Sequence, residues 1–219
     1  MENGIILIDK PAGITSFGVV ARVRRVLSEK AGKKVKVGHT GTLDPFATGL
    51  MILVVGKECK NAGNYSKMDK IYEATVRLGQ TSTTGDPEGE IIDVSDKSPD
   101  IDDIKNALIK FTGEITQTPP IYSAIKINGK RAYDMARKGQ KIDMPKRQVR
   151  IYSLELLDYK YPELKIRANV SSGTYIRSLA EDIGEELSVG AYCAELRRIS
   201  IADWAVDGAK QPLEFGIFD

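Results

Sequence analysis

Apolar residues recur along this chain with two periods. The run GIILI at 4–8 is stopped by Lys10-Pro11 and reads as a strand entering a turn. Phe17, Val20, Val23 and Val26/Leu27 then return every three to four residues, the spacing of a helix that Thr15 or Ser16 can cap. Arg22, Arg24 and Arg25 fall off that stripe. Residues 50–55 are continuously apolar, as in a strand covered on both faces, and 71–78 (IYEATVRL) alternates like a strand. Ser98-Pro99-Asp100 opens an acidic helix with Ile101, Ile104, Leu108 and Phe111 inward, because proline is tolerated in a first turn. Further strands are predicted over 121–127, 149–157 and 164–170. Asn128-Gly129 is a hairpin signal, and 131–138 is a short basic helix stopped by Gly139. Thr174 can cap a helix to about 187, with Ile176, Leu179, Ile183 and Leu187 on one side. The strand pairs are joined by loops too short for helical crossovers. This predicts an α+β fold, a mixed and largely antiparallel sheet flanked by helices.

With 219 residues, 42% of them apolar and 28% charged, the chain can bury a core. No apolar run approaches the ~20 residues that span a bilayer. The start, MENGIILIDKPAG, lacks the basic stretch and cleavage site of a signal peptide, so a reduced cytoplasmic protein is expected. Cys59 and Cys193 lie far apart and there is one histidine, His39, so neither a disulfide framework nor a metal site is suggested, and none is predicted. The net charge of +2 hides a strong polarity. Residues 121–150 hold nine Lys/Arg against two Asp, whereas 81–110 hold eight acids against three lysines. The basic segment suits a polyanion, or is a solvated loop.

The segment 37–51, VGHTGTLDPFATGLM, concentrates the chain's chemical signals. No lysine stands where a phosphate-binding loop needs one, and no GxSxG accompanies His39 as a base. Pro45 biases Asp44 away from helical geometry, and Gly41 and Gly49 permit sharp turns on either side. Asp44 is then either a positioned reactive carboxylate or the side chain of an Asx-turn. Local physics leaves both open.

GHTGTLDPFATGLM (38–51) closely resembles the catalytic motif of the bacterial tRNA pseudouridine-55 synthases, the TruB family. In the same order follow IDKPAGITS (8–16, ahead of it), KIYEATVRLG (70–79), TPPIYSAIKINGKRAYDMARKG (118–139), SSGTYIRSLAEDIG (171–184) and LRRISI (196–201). The resemblance covers residues 4–201 and implies a pseudouridine synthase fold over 1–219, with an RNA-clamping insertion near 118–148 and a short tail at 202–219. It implies cleavage of the N1–C1′ bond of uridine-55 in the tRNA T loop, rotation of the base and rejoining through C5. Nothing is oxidised and no group is transferred, so no cofactor or metal is called for.

The resemblance also assigns roles. Asp44 is the carboxylate that acts at C1′ or C6, and Arg177 is the cation that holds it ionised and aims it. Tyr72 stacks on the target base and serves in proton removal at C5, although periodicity alone makes it a core aromatic. Leu196 packs on the pocket, Lys10 supports the region, and Tyr175 contacts substrate beside Arg177. His39 enters the T loop and fills the space left by flipped nucleotides. Lys126, Lys130, Arg131 and Arg137, around the Asn128-Gly129 turn, meet phosphates. The expected partner is the T-stem-loop of tRNA, with no membrane, no obligate protein partner and a monomeric state. Most family members continue into a small domain resembling a PUA module, and this chain ends before one. The acidic stretch 86–103 matches no catalytic element and reads as a solvated edge. A non-catalytic T-arm clamp would use the same basic segment and His39, but would not need Asp44, Tyr72 and Arg177 together.

Overall fold

The computed structural model describes residues 3–216 apart from 124, 128, 137 and 141, with the backbone alone at 131, 212 and 213. The first half of the chain forms β1 (Gly4–Lys10), α1 (Ser16–Ala31), β2 (Val37–His39), β3 (Thr48–Val55), α2 (Ala62–Ser66), β4 (Lys70–Leu78), β5 (Gln80–Ser82), β6 (Ile91–Asp93) and α3 (Ile101–Lys110). The second half forms β7 (Gly113–Gln117), β8 (Lys126–Ile127), β9 (Lys130–Arg131), α4 (Ala132–Ala136), β10 (Arg147–Lys160), β11 (Glu163–Val170), α5 (Ile176–Glu186), β12 (Ala191–Ile201) and β13 (Trp204–Ala205). Two compact units result, one taking in the chain up to Glu73 and from Leu196 onward, the other Ala74–Glu195.

In the first unit β3 is the central strand. Its run TGLMILVV is buried almost throughout, as continuous apolarity predicts. β1 and β2 pair with it antiparallel, and β12 pairs with it parallel through Arg197–Thr48 and Arg198–Gly49. The sheet is therefore mixed. Leu50, Ile52, Ile201 and Val206 form a buried cluster flanked by Ile5, Leu7, Tyr65, Met68 and Trp204. The tail continues along β1, where Lys210 exchanges main-chain hydrogen bonds with Leu7 and Asp9 and Phe215 is buried.

Helix α1 begins where expected, with the Thr15 hydroxyl accepting from the Gly18 N–H. Its buried face differs from the predicted stripe. Ser16, Val19, Val20, Val23 and Leu27 are inside, whereas Phe17 is 64% exposed. Ser16 takes the inward place because its hydroxyl is paired on both sides with Leu43.

In the second unit β11 lies between β4 and β10, and β7 continues the sheet beyond β10. The ladders of β10 with β11 and of β10 with β7 are antiparallel. β5–β6 and β8–β9 are separate antiparallel hairpins. The strand predicted at 121–127 is confined to Lys126–Ile127. Helix α3 is capped by Asp100, which accepts from the N–H groups of Asp102 and Asp103, so Pro99 precedes the cap and does not occupy the first turn. Ile104 and Leu108 face inward, but Ile101 is largely exposed. Helix α5 begins after Tyr175 and not after Thr174, whose hydroxyl instead donates to the Ser171 carbonyl at 2.9 Å.

Candidate functional site

In the first unit the segment that carries Asp44 is tied from three directions. The buried Lys10 ammonium donates to the carbonyls of Pro11 (2.8 Å), Ile14 (2.8 Å) and Pro45 (3.1 Å). The Ser16 hydroxyl donates to the Leu43 carbonyl and accepts from the Leu43 N–H, both at 2.8 Å. Arg198, almost wholly buried, donates through Nε to the Leu50 carbonyl (2.6 Å) and through a terminal nitrogen to the Gly41 carbonyl (3.1 Å). Gly49 adopts φ +104°, and a Cβ there would lie 2.3 Å from the Arg198 carbonyl oxygen, so no other residue fits. Gly41, predicted to permit a sharp turn, does not adopt a positive φ. A Cβ there would make only an ordinary contact, 3.5 Å, with the Arg198 guanidinium, so neither conformation nor space demands glycine at this position. Asp44 is half-buried at the bend, and its carbonyl accepts from the Ala47 N–H at 3.1 Å. Main-chain groups on both sides of the aspartate are thus fixed by side chains from β1, α1 and β12.

Other predicted residues of this unit fall on neighbouring elements. His39 ends β2 opposite Leu53 and is half-buried. Its Nδ1 is buried without a hydrogen-bond partner among the described residues. Burial first, and the Arg198 guanidinium second, hold the ring below its ordinary value of 6.5, so it is neutral at pH 7. Tyr72 is buried in β4 and Leu196 in β12. Arg197, next to Leu196, forms a two-pronged ion pair with Asp9 at 2.7 and 3.0 Å.

Lys70 and Arg198 escaped the sequence reading as site residues. The Lys70 ammonium donates to the Ser66 and Met68 carbonyls. Burial and Arg198 push it down to about 8, against the opposing pull of Asp69.

In the second unit Arg177 is 3% exposed at the start of α5. Its guanidinium meets the equally buried Asp86 at 2.9 Å and donates to the carbonyls of Thr84 and Tyr122, each at 2.8 Å. Asp86 also accepts from the Thr84 hydroxyl (2.6 Å) and the Glu88 N–H (3.0 Å). The reading of 86–103 as a solvated edge therefore fails at its first residue. An acid at the head of an acidic run looks like surface, and only a partner 91 residues away draws it inside. Tyr175 is held by its backbone, giving its N–H to Gln117 Oε1 (2.8 Å) and accepting from Gln117 Nε2 (3.0 Å). Its ring lies 4.6 Å from the Arg147 guanidinium. Lys126 and Lys130 are exposed on the β8–β9 hairpin, and Gly129 at its turn has φ +81°. The side chain of Arg131, and Asn128 and Arg137 entirely, lie outside the described residues.

One turn beyond Arg177, burial pushes Glu181 up to about 7, with Arg177 opposing and Asp182 and Asp86 reinforcing. Burial, then Glu185, lifts Asp182 to about 6. The folded chain therefore binds more protons here than the unfolded chain, and the contribution of Glu181 to stability falls as pH rises from 4.5 to about 7. Relative to the unsubstituted protein, Glu181→Gln should gain in thermal midpoint progressively across that window. Melting curves at half-unit pH steps check this.

Comparison with known proteins agrees with this architecture. A solved Cbf5–Nop10–Gar1 complex contains a chain that superposes with a TM-score of 0.74 at 29% identity, over 96% of this chain and 52% of that one. The family model described as TruB family pseudouridylate synthase, N-terminal domain, matches residues 24–176. The chain belongs to the TruB family. It is 45% identical over 210 residues to the tRNA pseudouridine synthase B of Cupriavidus pinatubonensis, covering 94% of this chain and 65% of that protein. It is 44% identical over 215 residues to the protein of the same name from Aquifex aeolicus, covering 97% of this chain and 73% of the other. The chain thus spans about two thirds of the length of these relatives. No helix among the described residues is long and apolar enough to cross a membrane.

Proposed function

We propose that this chain isomerises uridine-55 in the T loop of tRNA to pseudouridine, with Asp44 as the catalytic carboxylate. The observation that carries the reading is the Asp44 segment itself, a bend tied on both sides of a half-exposed acid by Lys10, Ser16 and Arg198. Such ties suit a group that must meet a flipped nucleoside in one orientation, because positioning supplies much of the rate. The carboxylate attacks C1′ or C6, the N1–C1′ bond breaks, the base turns and bonds through C5 to C1′, and the bond to Asp44 breaks to return the free carboxylate. The proton lost from C5 is balanced by one gained at N1, so the base keeps its composition.

Arg177 serves as the counter-charge that keeps Asp44 ionised, and Tyr72 stacks on the base and takes part in removing the C5 proton. Tyr175 and Leu196 complete the pocket, while Lys10 supports it. Lys126, Lys130, Arg131 and Arg137 bind phosphates of the T-stem-loop, positioning the RNA without reading its sequence. His39 fills the gap left by flipped bases and returns part of the few kcal/mol that unstacking costs.

The deciding experiment supplies a T-stem-loop RNA tritiated at uridine C5. Stoichiometric release of tritium to water, lost in Asp44→Asn, is the expected result. Tight binding with full retention of the label would make the chain a T-arm clamp without chemistry. His39→Ala should weaken productive RNA engagement about tenfold and leave the single-turnover rate at saturating RNA far above that of Asp44→Asn. Rapid-quench kinetics over a range of RNA concentrations separate the two effects.

A further inference from the structure

We infer that the solvent-facing flank of α1, formed by Phe17, Arg24 and Arg25 and continued by the lysine-rich turn after the helix, is a second RNA-contact surface that holds the strand leaving the Asp44 segment. The inference rests on the chain being an RNA-modifying enzyme and extends it, because none of these residues belongs to the catalytic set or to the basic hairpin. It starts from an anomaly. A phenylalanine at a helical-stripe position is 64% exposed, while the apolar face of α1 is already filled by Val19, Val20, Val23 and Leu27. Phe17 is therefore not needed to cover the core.

Its location is informative. The residue before it, Ser16, grips both main-chain groups of Leu43, next to Asp44. The ring stands at the end of α1 nearest the candidate active-site bend. Seven residues along, on the same flank, the Arg24 guanidinium lies 5.9 Å from the ring centroid. Arg25 is exposed beside it, and its 3.9 Å contact with Glu29 is between two largely solvated side chains and is easily given up. Arg22 donates to the Gly216 carbonyl at 2.8 Å, and a terminal nitrogen of Arg25 lies beside the same glycine, 4.0 Å from where a Cβ would stand. The helix ends at Gly32 with φ +62°, which turns the chain into Lys33, Lys34 and Lys36. Between residues 16 and 36 there are seven Lys/Arg and one acid.

The chemistry selects the partner. An aromatic face joined to guanidinium groups is how unstacked bases and their phosphates are held, and the sequence tolerance of stacking suits a strand that is clamped and not read. A membrane surface would require an exposed apolar stripe, and that of α1 is buried. From Phe17 to Arg25 the helix rises about 12 Å, enough to follow more than one nucleotide.

The test measures binding of a tRNA transcript by fluorescence anisotropy at several salt concentrations, separately from tritium release by the same preparations. Phe17→Ala should weaken binding about tenfold and Phe17→Trp should retain it. Arg24→Gln and Arg25→Gln should each flatten the dependence of log affinity on log salt by roughly one unit. Affinity within twofold for Phe17→Ala and an unchanged salt slope for the arginine variants would overturn the inference. So would equal losses in Phe17→Ala and Phe17→Trp, or unchanged RNA affinity with a Phe17-dependent shift in sedimenting mass, which would assign the face to a second copy of the chain. If the unsubstituted protein releases no tritium, the isomerase reading fails while the binding comparison still decides this one.

Discussion

Asp44→Asn should lower the single-turnover rate of pseudouridine formation by about 10⁴-fold or more and leave T-stem-loop affinity within about threefold. Asparagine keeps the shape of the side chain and removes the negative charge on which carboxylate attack depends. The bend should survive the change. The hydrogen bonds from Lys10, Ser16 and Arg198 run to the main chain of residues 45, 43 and 41, none of which the substitution touches. Asp44→Glu is the informative companion. It keeps the charge but displaces it by one methylene on a segment with little freedom to compensate, and a misplacement of about 1 Å costs about 10²-fold. A rate for Asp44→Asn within tenfold of the unsubstituted protein would remove Asp44 from the chemistry.

The second large effect falls on the buried pair in the other unit. Asp86→Ala removes the carboxylate that meets the Arg177 guanidinium at 2.9 Å in a site where Arg177 is 3% exposed. Removing one partner of a buried ion pair costs about 3–5 kcal/mol. For a chain of this size that corresponds to a fall in melting temperature of roughly 10 °C. Calorimetry on Asp86→Ala, and on the double variant Asp86→Leu/Arg177→Met, separates fold from function. The double variant should recover much of the lost stability, since apolar replacements of a buried pair are well tolerated. It should remain inactive if Arg177 acts as the counter-charge of Asp44. Recovery of activity with stability would reduce Arg177 to a structural residue.

What could be read ahead of the structure divides by the range of the interactions involved. β3, β4, β10 and β11, and the cap of α1, follow from local patterns, because continuous or alternating apolarity and a threonine before a helix act over a few residues. The special status of the Asp44 segment was legible for the same reason, through Asp-Pro and Gly49. β12 was hidden because Glu195, Arg197 and Arg198 interrupt its alternation, yet Arg198 occupies an inward position and is almost fully buried. Ser16 and Phe17 exchanged their expected places because hydrophobic periodicity cannot foresee a hydroxyl satisfied by residue 43. Asp86 is the same case with a charge. In these three cases a polar group is made comfortable inside by a partner remote in sequence.

The parallel pairing of β12 with β3 carries a consequence for how the molecule is made. Arg198 reaches the Leu50 carbonyl across 148 residues of chain. During synthesis, the whole GHTGTLDPFATGLM segment leaves the ribosome long before the strand against which it is set. Contacts so distant in sequence form slowly. The bend around Asp44 is therefore completed only after β12 has been made, and a nascent chain stalled ahead of Leu196 bears the full motif without the arginine that shapes it.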